Sequence, residues 1–530
     1  MGGKRIVLLG VLASLILVGG LFTHLRFSDE INHFWHAREW YESGKRPVYL
    51  ILVDTNIEQD FYKYTVMAPL WHFGLMLIWK IYGGVSKAAA QLYHAGFYTL
   101  LILGTYLLAK EMYGKKAGWY AAVVTATIPM FVAFGIMFFM DMPIAALVPL
   151  GLYFLVKKRY FWAGVFMGLM FITKRNSYFL FPTFFLFTLR GKSLSVISRL
   201  KNGLIFCVLV LAITLPDFIF RYKNFGGLVS PGDKGRVMQF AGSIAKRTFF
   251  SLGVELKKAL VPSPPIDVSR VQKPPKTAQA LQAISSTTKA INFLPSDIRR
   301  PINIPNYLGL CLFVLLGVYL FRFRQVYEKQ DLLLALPIIV YLPLYAMFFR
   351  NWWGLRYLAP IMPLLAILAS KIFRASNKKT LTYLIITLCL VQFAAALGYV
   401  SYERRITADE REAFDYIKRE IPTNSRLLTA EPFLISYNTG RPTLWAVSFE
   451  AFDSVALFWE AEDSRKREIL DKHIISYLLI HKTRIYPDQR IRHLGGYPKS
   501  FVDKLPAMNF LQKVFQNDSI AIWEVKKTKA

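Results

Sequence analysis

Asp29, Glu30 and Asp141, together with a scattered set of cations, stand where apolar runs meet polar chain. Asp29-Glu30 follows the first long apolar run, 6–25, within a few residues, with His33 close behind. Asp141 sits in FFMDMP between two apolar runs, and Lys174-Arg175 closes a third. Lys63 precedes the run 66–82, and Arg350 and Arg356 bracket Asn351-Trp352-Trp353-Gly354, with Tyr357 next. Ionisable groups at membrane depth are costly, so their default reading is functional. Acids mixed with lysines and arginines at a lipid boundary suit chemistry on a lipid phosphate. The cations can hold a phosphate or pyrophosphate leaving group while a carboxylate takes the proton of an attacking hydroxyl. Blander readings stand beside this one. Asp29-Glu30 could be solvated loop charge, Asp141 a cap on a helix at 142–156, and the tryptophans interface anchors.

The elements that must position these residues are mostly membrane helices. At 530 residues, with 54% hydrophobic and 15% aromatic residues, the chain is too apolar for a soluble protein and too charged for a bare bundle. Twelve apolar runs could span: 6–25, 66–82, 88–109, 117–138, 142–156, 160–173, 177–189, 203–220, 303–321, 332–349, 355–373 and 380–400. Basic clusters around 110–116, 157–159, 190–201, 322–329 and 371–379 occupy every second loop, which puts them in the cytoplasm with Lys4-Arg5 if one early run fails to cross. The run 66–82, with Pro69, His72, Lys80 and a Gly83-Gly84 stop, is the candidate, read as a helix along the outer surface. About eleven spans result, with the N-terminus cytoplasmic and the C-terminus outside. The outer face then carries the loops 26–87 and 221–302 and everything after the membrane part, 1–403. Within the longer loop, 236–260 reads as an interfacial amphipathic helix and the stretch from Pro262 to Pro275 as irregular, together a cover or a linker.

The tail 404–530 is soluble in composition. A helical pattern at 407–420 precedes Pro422, RLLTA at 426–430 is strand-like, and a charged helix covers 461–473. IISYLLIH at 474–481 reads as a buried strand, and the runs 510–516 and 519–525 flank Asn517-Asp518 as a hairpin. The fold class expected is therefore a polytopic α-helical membrane protein with a C-terminal extracytoplasmic α/β domain. The charge of +31 alternates with the spans rather than gathering in one stripe, so lipid and topology account for it and nucleic acid does not. Cys207, Cys311 and Cys389 all lie in apolar runs, which indicates neither a disulfide framework nor a cysteine metal site. No nucleotide-binding loop or H-E-x-x-H appears, and no spacing argues for a structural metal; whether a divalent ion takes part is left open.

The stretch Asp29-Glu30-x-x-His33-x-x-x-Ala37-Arg38-Glu39 resembles the first outer loop of GT-C glycosyltransferases that use polyprenyl-phosphate sugars. Protein O-mannosyltransferases and lipid A aminoarabinose transferases, in glycosyltransferase family 39, are the most similar group. The likeness continues through Ala68-Pro69-Leu70-Trp71, Tyr113-Gly114-Lys115-Lys116, Asp141-Met142-Pro143, the segment Gly164 to Lys174, Arg356-Tyr357-Leu358-x-Pro360 and Ser436-Tyr437-x-x-Gly440-Arg441-Pro442. The resemblance implies inverting transfer of a sugar from a polyprenyl phosphate to a protein, lipid or glycan acceptor at the outer face of the cell membrane. It further implies Asp29 as base, Glu30 and Asp141 as further active-site acids, and His33, Lys63, Lys174, Arg175, Arg350, Arg356 and Tyr357 as substrate contacts. Relatives often carry a Lys before a Pro-Pro pair where this chain has Met67-Ala68-Pro69, so that phosphate contact is missing here or supplied by Lys63. A transporter or flippase of a lipid-linked substrate is the main alternative, with sites near the midplane between repeated halves. The chain shows no clear internal repeat. A non-catalytic assembly protein is a third reading.

Overall fold

A computed structural model describes residues 2–48, 67–189, 195–227, 310–321, 327–348, 354–375, 379–446, 457, 462–486 and 497–526. The expected contacts Lys63 and Arg350, the interfacial helix at 236–260 and the paired tryptophans Trp352 and Trp353 lie outside the described residues. The chain divides into two compact units, Met1–Thr23 with Ala37–Lys45 and Met67–Glu403, and His24–His36 with Arg46–Val66 and Arg404–Ala530. The helix Ser28–Ser43 begins in the second unit and ends in the first.

The first unit is helical. Its longer elements are α1 (Gly2–Leu21), the end of α2 (Ser28–Ser43), α3 (Pro69–Tyr82), α4 (Lys87–Tyr113), α5 (Lys115–Thr127), α6 (Pro129–Ile136), α7 (Asp141–Val156), α8 (Tyr160–Phe171) and α9 (Phe181–Thr188). They continue with α10 (Val196–Phe225), α11 (Leu310–Phe321), α12 (Leu332–Phe348), α13 (Met362–Ser370), α14 (Ile372–Ala375) and α15 (Lys379–Glu403). Every residue from Ala117 to Leu150 is buried, so α5, α6 and the first half of α7 form the centre. Helices that are apolar on all sides belong in such a place. The apolar run at 117–138, expected as a possible span, consists of two helices bent by 63°. Pro129 explains this: it has no N–H for Thr125 and forces Ile128 into an extended conformation at φ −61°, ψ 122°.

The outer helix α10 reverses the pattern of a water-soluble helix. Val196, Leu200, Leu204, Val208, Leu211, Leu215 and Ile219 are exposed, whereas Gly203, Phe206, Val210, Thr214, Asp217 and Arg221 are buried. An exposed apolar stripe with polar groups turned inward is what a lipid-facing helix presents. Among the described residues, Lys87–Tyr113, Val196–Phe225 and the helix through Thr382 are long and apolar enough to cross a bilayer, with a fourth crossing if α5 and α6 count as one. A count of eleven draws also on shorter apolar helices such as α7 and α8. The 14 residues of α3 extend about 21 Å, short of the hydrocarbon thickness of about 30 Å as α7 and α8 also are, so length alone does not set α3 apart from them. The helix α3 stops where the sequence suggests, at Gly83, whose φ of 87° suits a residue without Cβ.

At the Tyr113–Lys115 turn a buried carboxylate ties four segments. Asp331 accepts from Tyr113 Oη at 2.6 Å, Tyr319 Oη at 3.1 Å, the Glu328 N–H at 3.1 Å and Lys371 Nζ at 2.7 and 2.8 Å. With its donors made, this charge is tolerable in a dry interior.

The second unit is built on a five-stranded sheet in the order β2-β1-β3-β7-β6, with a separate pair β4-β5. The strands are β1 (Arg426–Thr429), β2 (Thr443–Trp445), β3 (Ile475–His481), β4 (Ile485–Tyr486), β5 (Tyr497–Pro498), β6 (Leu511–Gln516) and β7 (Ile520–Val525). β2, β1 and β3 run parallel, and β3, β7 and β6 antiparallel. The helices are α16 (Ala408–Glu420), α17 (Pro432–Thr439), α18 (Asp463–Lys472) and α19 (Lys499–Lys504). Leu428, Leu478, Ile480, Ile469, Tyr497 and Trp523 fill the core. The hairpin at Asn517-Asp518 closes as its sequence suggests, with Asn517 Oδ1 accepting from the N–H groups of Ser519 and Ile520 at 3.1 and 2.9 Å. The Gly440-Arg441 motif has a structural part. Gly440 ends α17 at φ 69°, and Arg441 donates to the terminal carbonyls of α16, Nε to Ile421 at 2.9 Å and Nη2 to Lys418 at 2.8 Å.

Candidate active site

In the first unit a broken chain path brings chemistry together. The turn after α6 leaves Phe139 and Met140 outside regular helix and starts α7 at Asp141. After α8 the chain opens into a 3-10 turn, Arg175–Leu180, with Lys174 extended before it. A second 3-10 turn, Gly354–Leu358, carries Arg356 and Tyr357.

Lys174 Nζ donates to Asp141 Oδ1 at 2.5 Å and stands 4.4 Å from the centre of the Tyr357 ring. The Arg356 guanidinium lies 5.2 Å from that ring and 5.6 Å from the Phe139 ring. Tyr341 holds the turn by donating to the Tyr357 carbonyl at 2.6 Å, and Asn176 Nδ2 donates to Tyr341 Oη at 2.7 Å. Two cations against one carboxylate leave this cluster with a net positive charge, partly shielded by aromatic faces. Asp141 does not cap its helix. Its side chain is 1% exposed, Oδ1 goes to Lys174, and Oδ2 is buried with no hydrogen bond. A half-satisfied buried carboxylate beside surplus positive charge is costly, and such cost concentrates at working sites.

Arg175 is half-buried at the start of its turn, one residue from Lys174. The same region holds a pair that reading the sequence missed: Arg221 Nε donates to Asp217 Oδ2 at 2.7 Å, both side chains 3% exposed. Its signal was present as an acid and an arginine four apart at the end of an apolar run.

In the second unit, Asp29 and His33 are half-buried and four residues apart on α2, hence on one face. Glu30 differs sharply from Asp29. It is fully buried, accepts the Arg26 N–H at 3.2 Å and forms an ion pair with the equally buried Arg404. Burial pushes the Arg404 guanidinium below its usual range, and the charge of Glu30 opposes that shift. Glu410 receives Arg26 Nη1 at 2.8 Å and Nη2 at 2.7 Å, His481 Nε2 at 3.0 Å and the Thr407 N–H at 2.9 Å. Burial alone would raise its pKa, but the hydrogen bonds from His481 and Arg26 and the Arg26 charge hold it well below the carboxylate range. For the half-buried Glu431, too, burial acts to raise the pKa, and the charge of Arg484 is the chief influence that holds it low instead. Among the described residues, no three His, Cys, Asp or Glu side chains gather as a metal site.

Residues 67–220, which include Asp141, Lys174, Arg175 and Asp217, match the family model described as dolichyl-phosphate-mannose-protein mannosyltransferase. No curated protein matches the chain in sequence. In structure it is similar to ArnT from Cupriavidus metallidurans bound to undecaprenyl phosphate, with a TM-score of 0.59, 13% identity and full coverage of both chains. It is similar also to an Archaeoglobus fulgidus oligosaccharyltransferase in the apo form, at TM-score 0.57 and 13% identity over 90% of this chain and 69% of that one. The same holds for the oligosaccharyltransferase AglB from that organism in complex with an inhibitory peptide and a dolichol-phosphate, at TM-score 0.56, 13% identity and the same shares. The resemblance read from the motifs therefore holds: the chain has the fold of the GT-C glycosyltransferases, and its segment 67–220 carries the sequence pattern of the family 39 type.

Proposed function

We propose that the protein transfers a single sugar from a polyprenyl phosphate to an acceptor at the outer face of the cell membrane, with inversion. The observation that carries this reading is the Asp141–Lys174 pair beside Arg356 and Tyr357, a cationic cluster among apolar helices that suits a lipid-borne phosphate. The acceptor oxygen attacks the anomeric carbon, the bond from that carbon to the phosphate oxygen breaks, and polyprenyl phosphate leaves with the electron pair. A single displacement inverts the centre. Lys174 and Arg356 stabilise the charge gathering on the leaving phosphate. Asp29 accepts the proton of an acceptor hydroxyl, and His33 on the same helix face contacts substrate. Asp141 fixes Lys174, Glu30 holds the chain at Asp29, and Arg175, Lys63 and Arg350 are further donor contacts. Polyprenyl phosphates named with the similar structures, undecaprenyl and dolichol phosphate, support the donor class.

The test is to incubate membranes containing the protein with undecaprenyl phosphates carrying radiolabelled hexose, pentose or aminopentose. One label should move to an acceptor, and Asp29→Asn should slow that transfer by about 10²- to 10⁴-fold with donor binding retained. Transfer of no label would refute the donor class. Wild-type turnover in folded Asp29→Asn protein would refute the base.

A further inference from the structure

Asp29 is bracketed by two residues that distant parts of the chain hold through buried charge. Arg26, three positions before it, forks onto both oxygens of Glu410, 384 residues away, and also donates to the Arg405 carbonyl at 2.9 Å. Glu30, the next residue after Asp29, pairs with Arg404, whose own carbonyl accepts the His24 N–H at 3.2 Å. Phe34, one turn on, meets the Tyr437 ring edge-on at 6.0 Å. Glu410 is 1% exposed and its four donors, from Arg26, His481 and Thr407, leave it no freedom to swing. His481 is itself steadied by a hydrogen bond with Thr483 Oγ1 at 2.7 Å. Paired forks of this kind fix direction as well as distance.

We propose that Glu410 and Arg404 are positioning residues: by clamping Arg26 and Glu30 they fix the first turn of α2 and so set where the Asp29 carboxylate stands. The inference rests on the reading of Asp29 as base. It gives the C-terminal part of the second unit, residues 404–530, a role in transfer that acts through Asp29. A general base displaced by about 1 Å can lose 10²-fold in rate.

Glu410→Gln keeps the shape and removes the charge. Hydrogen exchange at amides 28–34 should quicken about tenfold or more, since a charged hydrogen bond that closes the segment is lost. With the undecaprenyl-phosphate sugar that gives turnover, kcat per folded molecule should fall about 10²-fold while donor KM stays within twofold. Added to Asp29→Asn, the same change should cost less than about twofold, because a misplaced base and an absent base are one defect. Should Glu410→Gln not accumulate folded, Arg26→Lys keeps the charge, loses the fork and carries the same three readouts with smaller losses. Unchanged exchange at 28–34 overturns the clamp. Faster exchange with an undiminished loss in the Asp29→Asn background shows that Glu410 acts elsewhere and overturns positioning. Wild-type turnover of Asp29→Asn would instead remove the base reading, an outcome the exchange arm distinguishes from failure of the clamp.

Discussion

Replacing Lys174 by methionine separates two things that the lysine does, neutralising Asp141 and binding the donor. The Asp141 side chain is 1% exposed, and its one hydrogen bond comes from Lys174. Removing one member of a buried pair costs about 3–5 kcal/mol. Because the Lys174 side chain is 19% exposed, water screens part of this, and about 2–3 kcal/mol is the expected loss of stability. Removing both charges, in Asp141→Asn with Lys174→Met, should restore most of it. Donor affinity should behave otherwise. A lost charged hydrogen bond to phosphate costs about 1.5–3 kcal/mol, or about 10- to 150-fold in Kd, and the second substitution should not bring it back. Undecaprenyl phosphate titrated into the protein in lipid nanodiscs, beside thermal unfolding of the same samples, reads both quantities. If the double variant recovers binding together with stability, or if Lys174→Met binds as wild type, the lysine serves only its carboxylate and the phosphate assignment is wrong.

Arg356→Ala should weaken undecaprenyl phosphate binding by about 1.5–3 kcal/mol in the same titration, with little loss of stability because its ring contacts are half-buried; unchanged affinity would leave Lys174 and Arg175 as the described candidates. For topology, a cysteine at exposed Lys115 should be shielded from an impermeant thiol reagent in intact cells and one at exposed Lys513 should react, and the opposite pattern at either site would reverse the orientation. For acid, Glu410 and Glu431 have pKa values depressed by folding, so their contribution is present above the unfolded value of about 4.3 and is lost as pH falls from there towards the folded values. Hydrogen exchange of residues 404–446 should rise below about pH 4.3, and less so in Glu410→Gln; a rise that begins near neutrality would point to other groups.

Much of this was legible because the groups stand out against apolar sequence. Asp141 in FFMDMP and Lys174 after a long apolar run are conspicuous, and so are Gly83 and the Asn517 turn, where local rules decide. What could not be read was pairing. That Asp141 meets Lys174 depends on how α7 packs on α8, which no local pattern encodes. Lys371 reads only as part of a cytoplasmic basic cluster and no motif singles out Asp331, yet the two close a buried node with Tyr113 and Tyr319. Arg404 draws no reading beyond the start of the soluble tail, and Glu30 reads as one member of an acidic pair with Asp29; only tertiary placement shows that Glu30 and Arg404 belong to each other. His94 lies unremarked in an apolar run, yet it joins the Trp71 indole N–H at 3.0 Å and the Phe134 carbonyl at 2.6 Å. Reading 117–138 as one run misses the bend at Pro129, although a proline inside it is the signal, and no local rule gives its angle.

The inward stripe of α10 bears on how the chain is made. A lone Asp or Arg at the middle of an inserting helix costs about 2.5–3.5 kcal/mol, an upper bound for groups nearer one end. Lys174 and Asp141, or Lys371 and Asp331, cannot neutralise each other until two separate segments have both arrived. Asp217 and Arg221 sit one turn apart on one helix and need no such wait. Their pair can form as the helix leaves the ribosome, so the inward polar stripe of α10 enters the bilayer already close to neutral and can dock on α8 and α9, which precede it in the chain.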